Sequence, residues 1–135
     1  VDDDVHFVSN RTYDLLRCSK AALVTSGTAT LETALLNIPE VVCYKGNPIS
    51  YEIGKRIIKN IRFISLVNLI MDKQVVKELI QYDLTYENIK HELNLTLNTP
   101  KRDQILKDYD ELHHKLGGVG ASERTAKLIV EDLIK

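Results

Sequence analysis

The sequence predicts an α/β fold: a parallel, Rossmann-like sheet with helices on both faces, continued by further helices toward the C-terminus. Three observations predict it. The front half alternates short apolar runs with segments of helical period. The run Ala21 to Thr25 passes directly into Ser26-Gly27-Thr28 and then into a helical pattern, as a strand feeding a crossover helix would. The back half carries helical patterns only. The chain has 135 residues, of which 44% are hydrophobic and 27% charged, with six glycines and three prolines. That is one domain with its own core, and it excludes disordered and collagen-like classes. The net charge of −1 supplies no field that would draw in nucleic acid. No run approaches the roughly 20 apolar residues of a membrane span.

The elements follow in order. Val5-His6-Phe7-Val8 is a first short strand. Tyr13, Leu15, Leu16 and the small residues up to Ser19 predict a short helix. Ala21 to Thr25 is a strand buried on both faces. Leu31, Ala34, Leu35 and Ile38 fall on one face of the next helix, which Pro39 stops. Val41 to Tyr44 is the third strand, and Asn47-Pro48 marks a loop. Ser50 caps a helix reaching about Asn60, with Ile53, Ile57 and Ile58 on its apolar side. Phe63 to Met71 reads as a strand followed by a turn, and Val75 to Gln81 as a short helix. Thr85 caps a helix through about Leu97. Ile105, Tyr109, Leu112 and Leu116 form an amphipathic stripe that ends at Gly117-Gly118. Ser122 caps a last helix carrying Ala126, Ile129, Val130 and Leu133. Four strands linked by crossover helices make the sheet parallel. Ligands of such sheets bind beyond the carboxyl ends of the strands, which directs attention to the loops after Thr25, Tyr44 and Phe63.

The first of these loops carries the most chemistry. At Thr25 to Glu32 a strand ends, a glycine permits close backbone approach, and a helix begins at once. The first turn of a helix offers unpaired N–H groups and a partial positive charge. With the hydroxyls of Thr25, Ser26 and Thr28 around it, this is an anion site suited to phosphate. Glu32 lies one turn beyond Thr28 on the same face. A carboxylate there would repel phosphate on contact, but it could accept hydrogen bonds from two ribose hydroxyls. Glu32 misses the capping-box register from either Ser26 or Thr28. The spacing alone is equally compatible with an ordinary helix start.

The run S-G-T-A-T-L-E-T-A-L-L at 26–36, followed by I-P-E-V-V-C-Y-K at 38–45, resembles the lipid-A-disaccharide synthase family. The likeness continues through Ser50-Tyr51, Lys55-Arg56, S-L-V-N-L-I at 65–70, K-E-L-I-Q at 77–81 and L-G-G-V-G-A-S-E-R-T-A at 116–126, in the family's order. The resemblance implies the C-terminal, donor-binding half of a GT-B glycosyltransferase. That enzyme transfers 2,3-diacylglucosamine from UDP-2,3-diacylglucosamine to the lipid acceptor 2,3-diacylglucosamine 1-phosphate, with inversion, to give the lipid A disaccharide. It implies no cofactor and no metal. Carried over residue by residue, Ser26, Gly27 and Thr28 would hold the diphosphate and Glu32 the ribose. Tyr44 and Lys45 would border the donor pocket, and Asn68 and Gln81 would take donor-side positions. Val67 stands where the family has proline in its Leu-Pro-Asn motif, a departure that loosens the turn before Asn68.

Plainer readings stand beside these. Asn68 could cap a turn, Gln81 end a helix in solvent, Tyr44 pack on its strand, and Lys45 be an ordinary surface lysine. Lys45, Lys55, Arg56, Lys59 and Arg62 against Glu52 give residues 44–62 an excess of four positive charges. This is either a solvated helix face or a contact for an anionic membrane. Cys18 and Cys43 read as reduced thiols, and His6, His91, His113 and His114 lack ligand spacing. The opening at Val1, in what reads as mid-fold, predicts a partial donor domain over 1–135 without its acceptor domain. Such a chain would be inactive on its own, with the catalytic base elsewhere. The expected setting is cytoplasmic, at the inner face of the membrane, with self-association through apolar faces left uncovered.

Overall fold

A computed structural model describes residues 4–25, 27–46, 62–98, 100–117 and 120–134. Among them lie three parallel strands in the order β1-β2-β3: β1 (Ala22–Val24), β2 (Glu40–Tyr44) and β3 (Lys77–Ile80). Ala22 pairs with Glu40, and Val41 with Lys77, through to Tyr44 with Ile80. The helices are α1 (Thr12–Cys18), α2 (Thr28–Leu35), α3 (Leu66–Met71), α4 (Tyr86–Leu97), α5 (Lys101–Lys115) and α6 (Ala121–Leu133), with a single 3₁₀ turn at Gln81–Asp83. Parallel strands joined through helices give the α/β class the sequence predicts.

The core sits between β2 and three helices. Ala34 of α2, Val42 of β2, Val67 and Met71 of α3, and Ile105, Tyr109 and Leu112 of α5 form one cluster with Val75 and Val76. The stripe read on α5 is therefore its buried face, except Leu116, which is exposed. Val41 is as fully buried as its neighbour Val42. Successive strand residues point to opposite faces, so both faces of β2 are covered.

Several expectations give way. Residues 5–8 form no strand; Phe7 is exposed and pairs with nothing among the described residues. β1 is not buried on both faces, because it is the edge of the described sheet and Leu23 is 48% exposed. The run from Phe63 to Met71 is a loop and then helix α3. Ser65 caps α3 by accepting a hydrogen bond from the Asn68 amide at 3.3 Å. Lys77 to Ile80, expected as helix, is strand β3. Helix α2 ends at Leu35, before Pro39, because Asn37 takes a left-handed conformation (φ 58) and its amide returns to the Ala34 carbonyl. Helix α6 is capped by the backbone of Gly120 (φ 97), and Ser122 lies in its first turn. The helix expected from Ser50 to Asn60 lies outside the described residues.

Candidate functional site

The carboxyl ends of the three strands carry most of the residues singled out from the sequence. After β1, Gly27 is the N-cap of α2, with φ 73 and ψ −152. No L side chain adopts that backbone readily. A Cβ at Gly27 would meet nothing within 4 Å, so glycine is required there for its conformation and not for space. Thr30 donates its hydroxyl to the Gly27 carbonyl at 2.9 Å, and Thr33 donates to Ala29 at 2.8 Å. These two hydroxyls are spent inside the helix, whereas Thr25 and Thr28 are exposed. No side chain caps α2, and no acid lies in its first turn. The amides of Gly27, Thr28 and Ala29 have no helical carbonyl behind them. Ser26 lies outside the described residues.

Glu32 is half-buried on α2. Together with Thr25, Ala29 and Thr33 it lines a groove of about 410 Å³ that is closed on its other side by Leu15, Leu16 and Ser19 of the α1 region and by β1. The residues on either side of the helix start, Thr25 and Ala29, thus share a groove with the acid one turn on.

At the end of β2, Tyr44 is 39% exposed and Lys45 is exposed. At the end of β3, Gln81 is 7% exposed, with a left-handed backbone (φ 52). Its Nε2 donates to the Gly46 carbonyl at 3.2 Å, joining the ends of β2 and β3. A non-glycine residue held at positive φ beyond a strand end stores strain, a feature that clusters at functional sites.

Asn68 is elsewhere. Its side chain is fully buried, and every one of its hydrogen-bonding positions is taken within the protein. Nδ2 donates to the Val76 carbonyl and to Glu78 Oε1, both at 2.9 Å. Oδ1 accepts from the amides of Val75 (2.8 Å) and Val76 (3.0 Å). Val75 and Val76 lead into β3, at the opposite end of the strand from Gln81. A donor-side contact by this side chain, as expected from the sequence, would break that network.

Glu78, which the sequence reading passed over, is the hub beside it. Its carboxylate accepts from the Ile64 amide, the Ser65 amide, the Ser65 hydroxyl and Asn68 Nδ2, at 2.8–3.2 Å. An internal anion thus already occupies the start of α3. The sequence reads 75–81 as helix and 63–71 as strand and turn, so nothing local marks Glu78 as the partner of the Ser65 and Asn68 turn. Gly46 was also passed over, and its one sequence cue is its place directly after the strand end.

Of the basic stretch, Lys55, Arg56 and Lys59 lie outside the described residues. Arg62 pairs with Asp72 and lies over the Phe63 ring, 5.7 Å from its centroid. Cys18 and Cys43 are free thiols, and burial pushes Cys43 above its ordinary pKa. Among the described residues no group of His, Cys, Asp or Glu is arranged to hold a metal ion. No described helix is long and apolar enough to cross a membrane.

Comparison with known proteins bears on this arrangement. A family model described as lipid-A-disaccharide synthetase matches residues 1–131. Proteins named lipid-A-disaccharide synthase are similar to the chain. The one from Syntrophus aciditrophicus is 43% identical over 123 residues, covering 90% of this chain and 32% of that protein. The one from Gloeothece citriformis is 39% identical over 126 residues, 92% of this chain and 33% of that protein. The one from Geobacter sulfurreducens is 36% identical over 133 residues, 98% of this chain and 34% of that protein. The chain spans about a third of the length of these curated relatives.

Proposed function

Because the chain belongs to the lipid-A-disaccharide synthetase family, we propose that it forms the donor-binding part of a glycosyltransferase of lipid A biosynthesis. The whole protein would take UDP-2,3-diacylglucosamine as donor and 2,3-diacylglucosamine 1-phosphate as acceptor, and would release UDP. The observation that carries this reading is the start of α2. It has a glycine-only backbone, no side-chain cap and no acid in its first turn, and its flanking residues Thr25 and Ala29 line the groove that Glu32 also lines. Negative charge grows on the leaving diphosphate as the sugar departs, and fixed amide dipoles at that point stabilise it most. Gly27 and Thr28 serve the diphosphate, together with Ser26 by its place in the sequence. Glu32 is an acceptor-only group suited to the ribose hydroxyls. Tyr44 and Lys45 border the sugar-diphosphate, and Gln81 supports the same edge through Gly46. Asn68 acts by holding α3 against the entry to β3, not by touching the donor.

The proposal extends to surroundings. Lys55, Arg56 and Lys59 would meet an anionic membrane at the cytoplasmic face, with a smaller share for Arg62, whose guanidinium is paired. A second copy of the protein would cover the apolar side chains that α6 exposes.

The test is a titration of UDP, UMP and ADP against the full-length enzyme and its Glu32→Gln variant. UDP should bind ahead of ADP, and Glu32→Gln should weaken UDP by about tenfold, the worth of a charge-assisted hydrogen bond. Equal affinity for UDP and ADP, or a Glu32→Gln variant that binds like wild type, would overturn the assignment.

A further inference from the structure

We propose that Gly46 and Gln81 are positioning residues that set the ring of Tyr44 at the rim of the donor site. The inference rests on the reading above that Tyr44 borders the donor. The sequence resemblance gives Gly46 no role and places Gln81 only at a donor-side position.

Three observations carry it. Tyr44 is the last residue of β2 and pairs with Ile80, the residue before Gln81. Its ring folds forward along the chain over Gly46. A Cβ at Gly46 would lie 3.2 Å from Tyr44 Oη, 3.3 Å from Cε1 and 3.4 Å from Cζ. The backbone of Gly46 lies outside the left-handed region. A methyl there would crowd the ring, which would have to give by a few tenths of an ångström, whereas at Gly27 the constraint is conformational. Finally, Gln81 fixes where Gly46 lies, through the 3.2 Å bond from Nε2 to its carbonyl. Gln81 is itself fixed, being buried with a left-handed backbone that follows directly from β3.

The consequence is a short mechanical chain: β3 holds Gln81, Gln81 holds Gly46, and Gly46 sets how far Tyr44 can fold down. Tyr44 is nonetheless 39% exposed. It offers a flat, uncharged face to the uncharged part of a nucleotide-sugar, while the start of α2 serves the charged part. Moving the ring by a few tenths of an ångström would alter donor binding without touching the diphosphate site.

A double-mutant cycle in the full-length enzyme tests this. Gly46→Ala should raise the KM for donor about fivefold with kcat within about twofold, because the added methyl displaces the ring. Gln81→Leu should do the same. Combining either change with Tyr44→Ala should be no worse than Tyr44→Ala alone, since a positioning residue has nothing left to position. Additive losses would overturn the proposal, because Gln81 or Gly46 would then act on the donor independently of Tyr44. An unchanged KM for Gly46→Ala would overturn it as well, provided Glu32→Gln in the same assay weakens donor binding. Should Glu32→Gln have no effect, the donor-site reading itself fails. The positioning claim is then decided by a crystal structure of full-length Gly46→Ala: a shifted Tyr44 ring supports it and an unmoved ring sinks it.

Discussion

Glu40 begins β2 with its side chain fully buried, and neither carboxylate oxygen has a hydrogen-bond partner among the described residues. Burial pushes its pKa from an ordinary 4.5 up to about 9. The same burial, with the Glu40 carboxyl nearby, holds the Tyr109 phenol above its usual range. The sign of the pH effect follows. The folded chain keeps the Glu40 proton up to about pH 9, whereas the unfolded chain releases it near 4.5. Stability from this residue is therefore complete below about pH 4.5 and is lost as the pH climbs toward 9. Glu40→Met removes the buried acid at similar volume. It should stabilise the protein by about 1–3 kcal/mol at neutral pH and flatten the decline of Tm between mildly acidic and alkaline pH. A wild-type Tm that stays level over that range would contradict this account. Nothing in the sequence revealed Glu40, because an acid at the first position of a strand usually faces water.

Among the elements, those with clear periodicity were legible. The stripe Ile105, Tyr109, Leu112 marked α5, and Thr85 marked the start of α4, where its hydroxyl accepts from the Asn88 amide at 3.2 Å. The segment 63–81 was not legible, for a physical reason. A short apolar run has no period that separates strand from helix. Here a long-range partner decides. Glu78 of β3 receives the Ile64 and Ser65 amides, and Asn68 receives those of Val75 and Val76, so α3 and β3 specify each other across the chain. Lys77-Glu78 suits a helix locally, yet becomes strand because β2 offers an adjacent ladder. Asn68→Ala leaves the buried Val76 amide without its acceptor and takes a donor from both the Val76 carbonyl and Glu78, while the Val75 amide keeps the Lys73 carbonyl. It should destabilise the fold by about 3 kcal/mol or more in urea unfolding, with amide exchange in 64–76 rising first. Thr85→Ala should cost about 1 kcal/mol and leave that exchange unchanged. Of the candidate site, the strand-to-helix turn at 25–32 was legible because its chemistry is local. The link from Gln81 to Gly46 spans 35 residues and was not.

At the scale of the molecule, α6 stands apart from the core. Leu128, Ile129, Val130 and Leu133 are each more than half exposed, and no described α6 side chain is buried. Removing residues 121–135 should therefore leave the urea midpoint of the chain nearly unchanged and reduce its self-association in sedimentation. A large drop in the midpoint would show that α6 supports the core after all. Helix α2 begins just beyond the carboxyl end of β1, whereas α3 begins beside Val76 and Glu78, at the amino end of β3. Those two beginnings are electrically unlike. α3 arrives with a counter-ion supplied from within, the carboxylate of Glu78, and α2 arrives with none. A polyanion drifting up to the carboxyl end of the sheet meets an uncompensated helix start, while the helix start at the other end is already filled from within. The fold thereby sorts traffic before any ligand has been recognised.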